Sequence, residues 1–144
     1  MKWIFLLLSF VAGIASATQG LFNGYWQERL DLKAVLLANA AVVFAAALFY
    51  YLWGIYQNEA RPWSEATPSI VVGGLCGLVI VVALALAFPK IGAFRAIVLF
   101  IAGQLLAALV FDHFGVLNLP AVPIGWQKLL GALLVGIGAY LVLP

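Results

Sequence analysis

Residues 69–88 read SIVVGGLCGLVIVVALALAF, twenty positions without one charged side chain. A helix over them would be about 30 Å long at 1.5 Å of rise per residue, which is the thickness of a bilayer's hydrocarbon core. Pro89, Lys90, Ile91 and Gly92 follow. Proline removes a backbone donor and disfavours helix at the residue before it, so the helix is expected to stop at Phe88 and residues 89–92 to form a tight turn. On the other flank, Gln57 to Pro68 carries Glu59, Arg61, Pro62 and Glu65 and marks a polar boundary.

The same reading extends outward in both directions. Apolar stretches over about 3–25, 34–56, 93–111 and 124–143 flank residues 69–88. The second ends in Tyr50, Tyr51, Trp53 and Tyr56, the aromatic belt that settles at headgroup depth. Gln27 to Lys33 separates the first pair, with Glu28, Arg29, Asp31 and Lys33. Asp112 to Pro123 separates the last pair and is punctuated by Gly115, Asn118, Pro120 and Pro123. The expected fold is an all-α membrane protein, a single transmembrane domain over residues 1–144 with five transmembrane helices.

Composition agrees. Hydrophobic residues make up 67% of the chain and charged residues 8%, with a mean hydropathy of +1.17. Soluble domains run at roughly 45–50% apolar and about 25% charged, and seven Lys+Arg with five Asp+Glu cannot furnish polar faces for soluble helices. A formal net charge of +2, scattered along the chain, offers no surface for nucleic acid. Cys76 stands alone, so it forms no intramolecular disulfide and reads as a small packing residue. Lys2, the apolar run from Trp3 to Ile14 and the small Ala15, Ser16 and Ala17 resemble a secretory leader. Apolar character resumes at Leu21 and Phe22 before Tyr25 and Trp26, and a retained first helix is expected.

Five spans place the termini on opposite sides of the membrane. Lys2, Arg61 and Lys128 then fall on the N-terminal side, and Arg29, Lys33, Lys90 and Arg95 on the other. Orientation follows the Lys/Arg excess in short loops. A nearly even count leaves little preference, and copies are expected to insert both ways.

Polar side chains inside apolar spans are candidates for function, because Arg or Asp at mid-helix costs roughly 2.5–3.5 kcal/mol on insertion scales. Ser16, Gln19 and Asn23 share one face of the first helix at spacings of three and four. Asn39 stands in the second helix and Gln104 in the fourth. Gln19 and Asn39 lie at similar depth and are placed to meet. Amides donate and accept without changing charge, which suits a polar solute and supplies no proton-coupling group. Asp112 and His113, at the end of the fourth helix, form a candidate titrating gate, since histidine ordinarily changes charge between roughly pH 5 and 8. Gly73 and Gly77 form a small-xxx-small seam, and Gly131 and Gly138 line the fifth helix, positions suited to packing between helices or between subunits. One His, one Cys and interfacial carboxylates compose neither a triad nor a metal site, and no Gly-rich nucleotide loop is present. No enzyme activity, metal or cofactor is expected.

Several stretches together resemble a known family. They are Gly13 through Gln19 to Asn23, Gly73-Gly74-Leu75-Cys76-Gly77, Pro89-Lys90-Ile91-Gly92, Gly103-Gln104-Leu105, Asp112-His113-Phe114-Gly115, and Gly131-Ala132-Leu133-Leu134. The chain is similar over nearly its whole length to the small YdcZ-like inner-membrane exporters of the drug/metabolite transporter superfamily. That resemblance implies half of a ten-helix inverted-repeat transporter and a bacterial inner (plasma) membrane location. It also implies an inverted pairing, with a second copy or with a paralogous five-helix partner. Four-helix relatives carry a glutamate in helix one for proton exchange; Gln19 occupies that region here, which puts that route in doubt.

The resulting expectation is a transporter acting as an antiparallel homodimer. It would move a small polar or amphiphilic solute by alternating access, with Gln19, Asn23, Asn39 and Gln104 lining the path. The rival expectation is a non-transporting helical subunit of a larger membrane complex, which needs no polar path.

Overall fold

The computed structural model describes residues 2–59, 63, 68–118 and 120–143. Arg61, Pro62 and Glu65 of the expected polar boundary lie outside the described residues. Five α-helices run through the rest: α1 (Lys2–Gln27), α2 (Leu32–Tyr56), α3 (Ser69–Ile91), α4 (Ala93–Phe114) and α5 (Trp126–Val142), with a 3₁₀ turn at Val116–Asn118. The protein is an all-α membrane protein. Helices α1 to α4 are long and apolar enough to cross a bilayer, whereas α5 has 17 residues.

Local chemistry sets the helix ends. Asp31 begins α2: its side chain accepts a 2.8 Å hydrogen bond from the Ala34 amide, satisfying one of the donors that a helix start leaves open. The helix therefore begins at Leu32, two residues before the sequence boundary. At its other end Asn58 takes φ 58, with Asn58 N–H donating to the Ile55 carbonyl at 3.0 Å and Glu59 N–H to that of Gly54 at 2.9 Å. This is a Schellman closure with asparagine in the left-handed position. Gly115, at φ 59, closes α4 in the simpler left-handed motif, its N–H donating to the Phe111 carbonyl, and the helix runs to Phe114, three residues beyond the expected stop at Phe111.

The expected turn at residues 89–92 needs correction. Helix α3 continues through Pro89 and Lys90 to Ile91. Proline forfeits one hydrogen bond, and a loss so near the helix end leaves the neighbouring turns intact. The chain turns instead at Gly92, whose φ 82 and ψ 153 belong to a region that essentially only glycine occupies.

The chain divides into two compact units, residues 1–90 and 91–144. In the first, α1 packs along α2, and the end of α3 is seated on α1. A methyl built on Gly20 would stand 2.7 Å from Cζ of Phe88, and one on Gly24 would stand 3.1 Å from Cδ of Pro89. These two glycines, one turn apart, let α1 receive the Phe88 ring and the proline. In the second unit α4 and α5 pair along their length. Most large apolar side chains face outward, among them Phe49 at 71% and Phe94 at 70% exposure. Such faces are stable against lipid or a partner and would be untenable in water.

Candidate functional site

The α1–α2 contact is polar at its centre. Asn39 Nδ2 donates to the Asn23 Oδ1 across the helix pair at 2.9 Å and to the Val35 carbonyl of its own helix at 2.9 Å. Gln19 Nε2 donates to Asn39 Oδ1 at 3.5 Å, the outer limit of a hydrogen bond. Gln19 and Asn23, a turn apart on α1, thus grip one amide of α2 from two sides.

The direction of this chain is set by the backbone. Turning the Asn39 amide over would bring its oxygen against the Val35 carbonyl, two acceptors face to face. Asn39 must therefore present nitrogen to Val35 and Asn23, and oxygen to Gln19. Asn23, in turn, must present its oxygen to Asn39. Its own Nδ2 is left buried and without a hydrogen-bond partner, on a residue only 6% exposed. An unmet buried donor costs about 1–3 kcal/mol.

Two recesses adjoin the cluster, and Asn39 is the residue they share. One, of about 250 Å³, is lined by Asn23, Trp26, Leu30, Ala34, Val35, Ala38 and Asn39. The other, of about 500 Å³, is bounded by Gln19 and Asn39 together with Leu36, Ala40, Val43 and, on α3, Gly74 and Gly77. Beside the smaller recess, Trp26 meets Tyr25 edge-on at 5.2 Å. The Arg29 guanidinium lies 3.5 Å over the Tyr25 ring and donates to the Tyr25 carbonyl at 3.1 Å, a cation at a helix C-terminus where it is favoured.

In the second unit, Asp112 does not work with His113. Lys128 on α5 donates to Asp112 Oδ2 at 2.7 Å, while His113 packs edge-on against Phe114 at 4.9 Å. The carbonyl of Asp112 also accepts the Val122 amide at 2.8 Å, which ties the connection back to α4. The expected Asp112–His113 pair is thus replaced by an ion pair between α4 and α5. Lys128, counted from the sequence only among the cations of the N-terminal side, stands one turn below Gly131 and faces Asp112. That pair borders a recess of about 390 Å³ with Leu105, Ala108, Leu109, Gly131, Ala132 and Val135. Gln104 is exposed on α4.

The glycine expectation is corrected within the chain. A methyl on Gly73, Gly77, Gly131 or Gly138 would meet nothing of its own unit within 4 Å. Helix packing falls instead to Gly20 and Gly24, a small-xxx-small pair that sequence spacing alone did not separate from the others. Cys76 is exposed rather than packed. Among the described residues no group of His, Cys, Asp and Glu is arranged to hold a metal ion.

Residues 4–141 match the family model described as "Putative inner membrane exporter, YdcZ". No curated protein and no solved structure matches the chain.

Proposed function

Because the chain belongs to the YdcZ family of inner-membrane exporters, we propose that it moves small polar or amphiphilic solutes out across a bacterial plasma membrane. The working unit is an antiparallel pair of copies, or this chain with a paralogous five-helix partner. Two inverted halves of five spans build the ten-helix arrangement in which a site at the repeat interface is exposed to each side in turn. Gln19, Asn23 and Asn39 supply the polar surface of one unit and Gln104 that of the other. The uncontacted glycines Gly131 and Gly138 of α5 suit close approach of a second copy.

The observation that carries this reading is the amide cluster with its unmet donor. Amides that serve only as glue between helices are worth about 0.6–2 kcal/mol each, and they serve best when every donor finds an acceptor. Here one does not, and its residue, Asn23, lines a recess.

The test begins with purified protein, screened by thermal shift against amines, amino acids, sugars and lipophilic cations, because a ligand of the native state raises apparent stability. Any stabilising compound is then followed as counterflow into proteoliposomes. Flux that is present in the wild type and lost in Gln104→Leu or Gln19→Leu protein, both still folded, is the expected result. Undiminished flux in both variants rejects the site; absence of flux for every stabilising compound rejects export.

A further inference from the structure

We infer that the smaller recess of the first unit is a binding site for a small neutral amphiphile with an exposed hydrogen-bond acceptor, an amide or ketone carbonyl being the simplest case. The inference rests on the export reading and narrows the solute it serves.

The chemistry of the lining decides the class. Asn39 has both amide hydrogens engaged, on Asn23 and on Val35, and its oxygen takes the Gln19 donor. The Asn23 oxygen is engaged by Asn39. The group left over is Asn23 Nδ2, which is a donor only. A cation would find only the second lone pairs of two neutral amide oxygens and no carboxylate among the lining residues, too little to replace its hydration. A carboxylate would find only neutral donors and no positive side chain among the lining residues, far too little to replace its hydration. A neutral carbonyl gives up much less on leaving water, and one good hydrogen bond restores it.

The remaining walls fit the other end of such a molecule. Trp26, Leu30, Ala34, Val35 and Ala38 are apolar or present apolar faces. A recess of about 250 Å³ corresponds to the room of roughly eight waters at about 30 Å³ each, enough for a short alkyl chain with its carbonyl. The Asn23 donor is covered in the resting arrangement. The link that can yield is the 3.5 Å contact from Gln19, the longest in the cluster: its release frees α1 to turn the Asn23 amide toward the recess while the shorter Asn39 contacts hold.

Three probes with bodies of similar size separate the classes: butyramide, butylammonium and butyrate, titrated into the purified full-length protein at neutral pH with binding followed by NMR. Butyramide is expected to bind at least about tenfold more tightly than either ion. Asn23→Leu should weaken butyramide binding about tenfold, the upper end for one neutral hydrogen bond. Ala38→Leu, which fills the recess without touching an amide, should do the same and stands in if Asn23→Leu does not fold. Equal or tighter binding of butylammonium or butyrate overturns the inference. So does butyramide binding that neither variant changes, or no binding of any probe, which would leave water as the sole partner of Asn23. These binding results are independent of flux. Selective butyramide binding without counterflow of any solute leaves the site standing and removes export; counterflow of an amine that ignores the recess does the reverse.

Discussion

Replacing Gly20 with alanine tests the packing that holds the amide cluster in place. The new methyl would lie 2.7, 2.9 and 3.1 Å from three atoms of the Phe88 ring. Carbon atoms pack at about 3.5–4.0 Å, so ring and helix must separate by about 0.8 Å or more. Phe88 is 6% exposed and is followed by Pro89, which rests on Gly24; the ring has little freedom to swing away. Overpacking of this kind costs about 1–3 kcal/mol. Alanine also gains up to about 1 kcal/mol of helix propensity over glycine, which would hide part of the loss. Gly77→Ala supplies the correction, because it gains the same propensity where nothing lies within 4 Å. The difference between the two variants isolates the clash. At about 2–4 °C per kcal/mol for domains somewhat above this size, Gly20→Ala should melt about 2–12 °C below Gly77→Ala in monomeric detergent preparations. Adding Phe88→Leu, which removes the ring tip, should close most of that gap, a coupling of about 0.5–3 kcal/mol in the double-mutant cycle. Coincident melting of the two glycine variants, or a cycle with no coupling, would refute the seating of α3 on α1.

Asn39→Leu removes the hub of the cluster and leaves the whole Asn23 amide buried, so a loss of about 1–3 kcal/mol in thermal stability is expected, with counterflow abolished even where folded protein is recovered. The Asp112–Lys128 pair is partly exposed, at 46% and 34%, so Lys128→Met should cost less than about 1 kcal/mol; a larger loss would mean the pair is shielded by lipid or by a second copy. Gly92→Ala forces a side chain into φ 82 and should destabilise by about 1–3 kcal/mol, read as a lowered melting temperature beside wild type. Paired cytoplasm-active and periplasm-active reporters fused to the C-terminus should both give signal if copies insert in both orientations, and activity from one alone would remove the antiparallel homodimer.

The helical membrane fold was legible because hydrophobicity in a bilayer is a length measurement: residues 69–88 need only be counted. Boundaries were less legible. The Asp31 cap moved the start of α2, and Pro89 was read as a stop although one missing hydrogen bond in a final turn is bearable. The meeting of Gln19 and Asn39 followed from depth, since both lie a similar number of turns from the joined ends of their helices, and Asn23 followed from its spacing on the same face. What spacing could not supply was the polarity of the hydrogen bonds, which depends on the Val35 carbonyl. Nor could it tell which glycines touch anything. Gly20 and Gly24 repeat the spacing of Gly73 and Gly77, and the difference lies in a phenylalanine 64 residues further along. Lys128 was likewise only a charge near one end of the fifth helix, and spacing did not show that it pairs with Asp112 of α4.

The dimer reading depends on α5, and its length bears directly on that. Seventeen residues rise about 26 Å, a few ångströms short of a hydrocarbon core of about 30 Å. Mismatch costs fractions of a kcal/mol per Å, and thinning of the bilayer or adjustment of flanking residues absorbs it. A span by α5 therefore carries a penalty of about 1 kcal/mol, small beside the cost of leaving an apolar helix in water: Leu129, Leu133, Leu134, Ile137 and Leu141 are all about half exposed or more. Burial of a leucine-sized side chain contributes about 1.5–3 kcal/mol, so even two of them outweigh the mismatch. The balance favours five crossings, and five crossings make parity odd. One sequence inserted in two orientations then generates both five-helix halves of the proposed inverted pair. The short helix thus completes the ten-helix count of the proposed pair, and the salt bridge from its first turn to Asp112 ties it to α4.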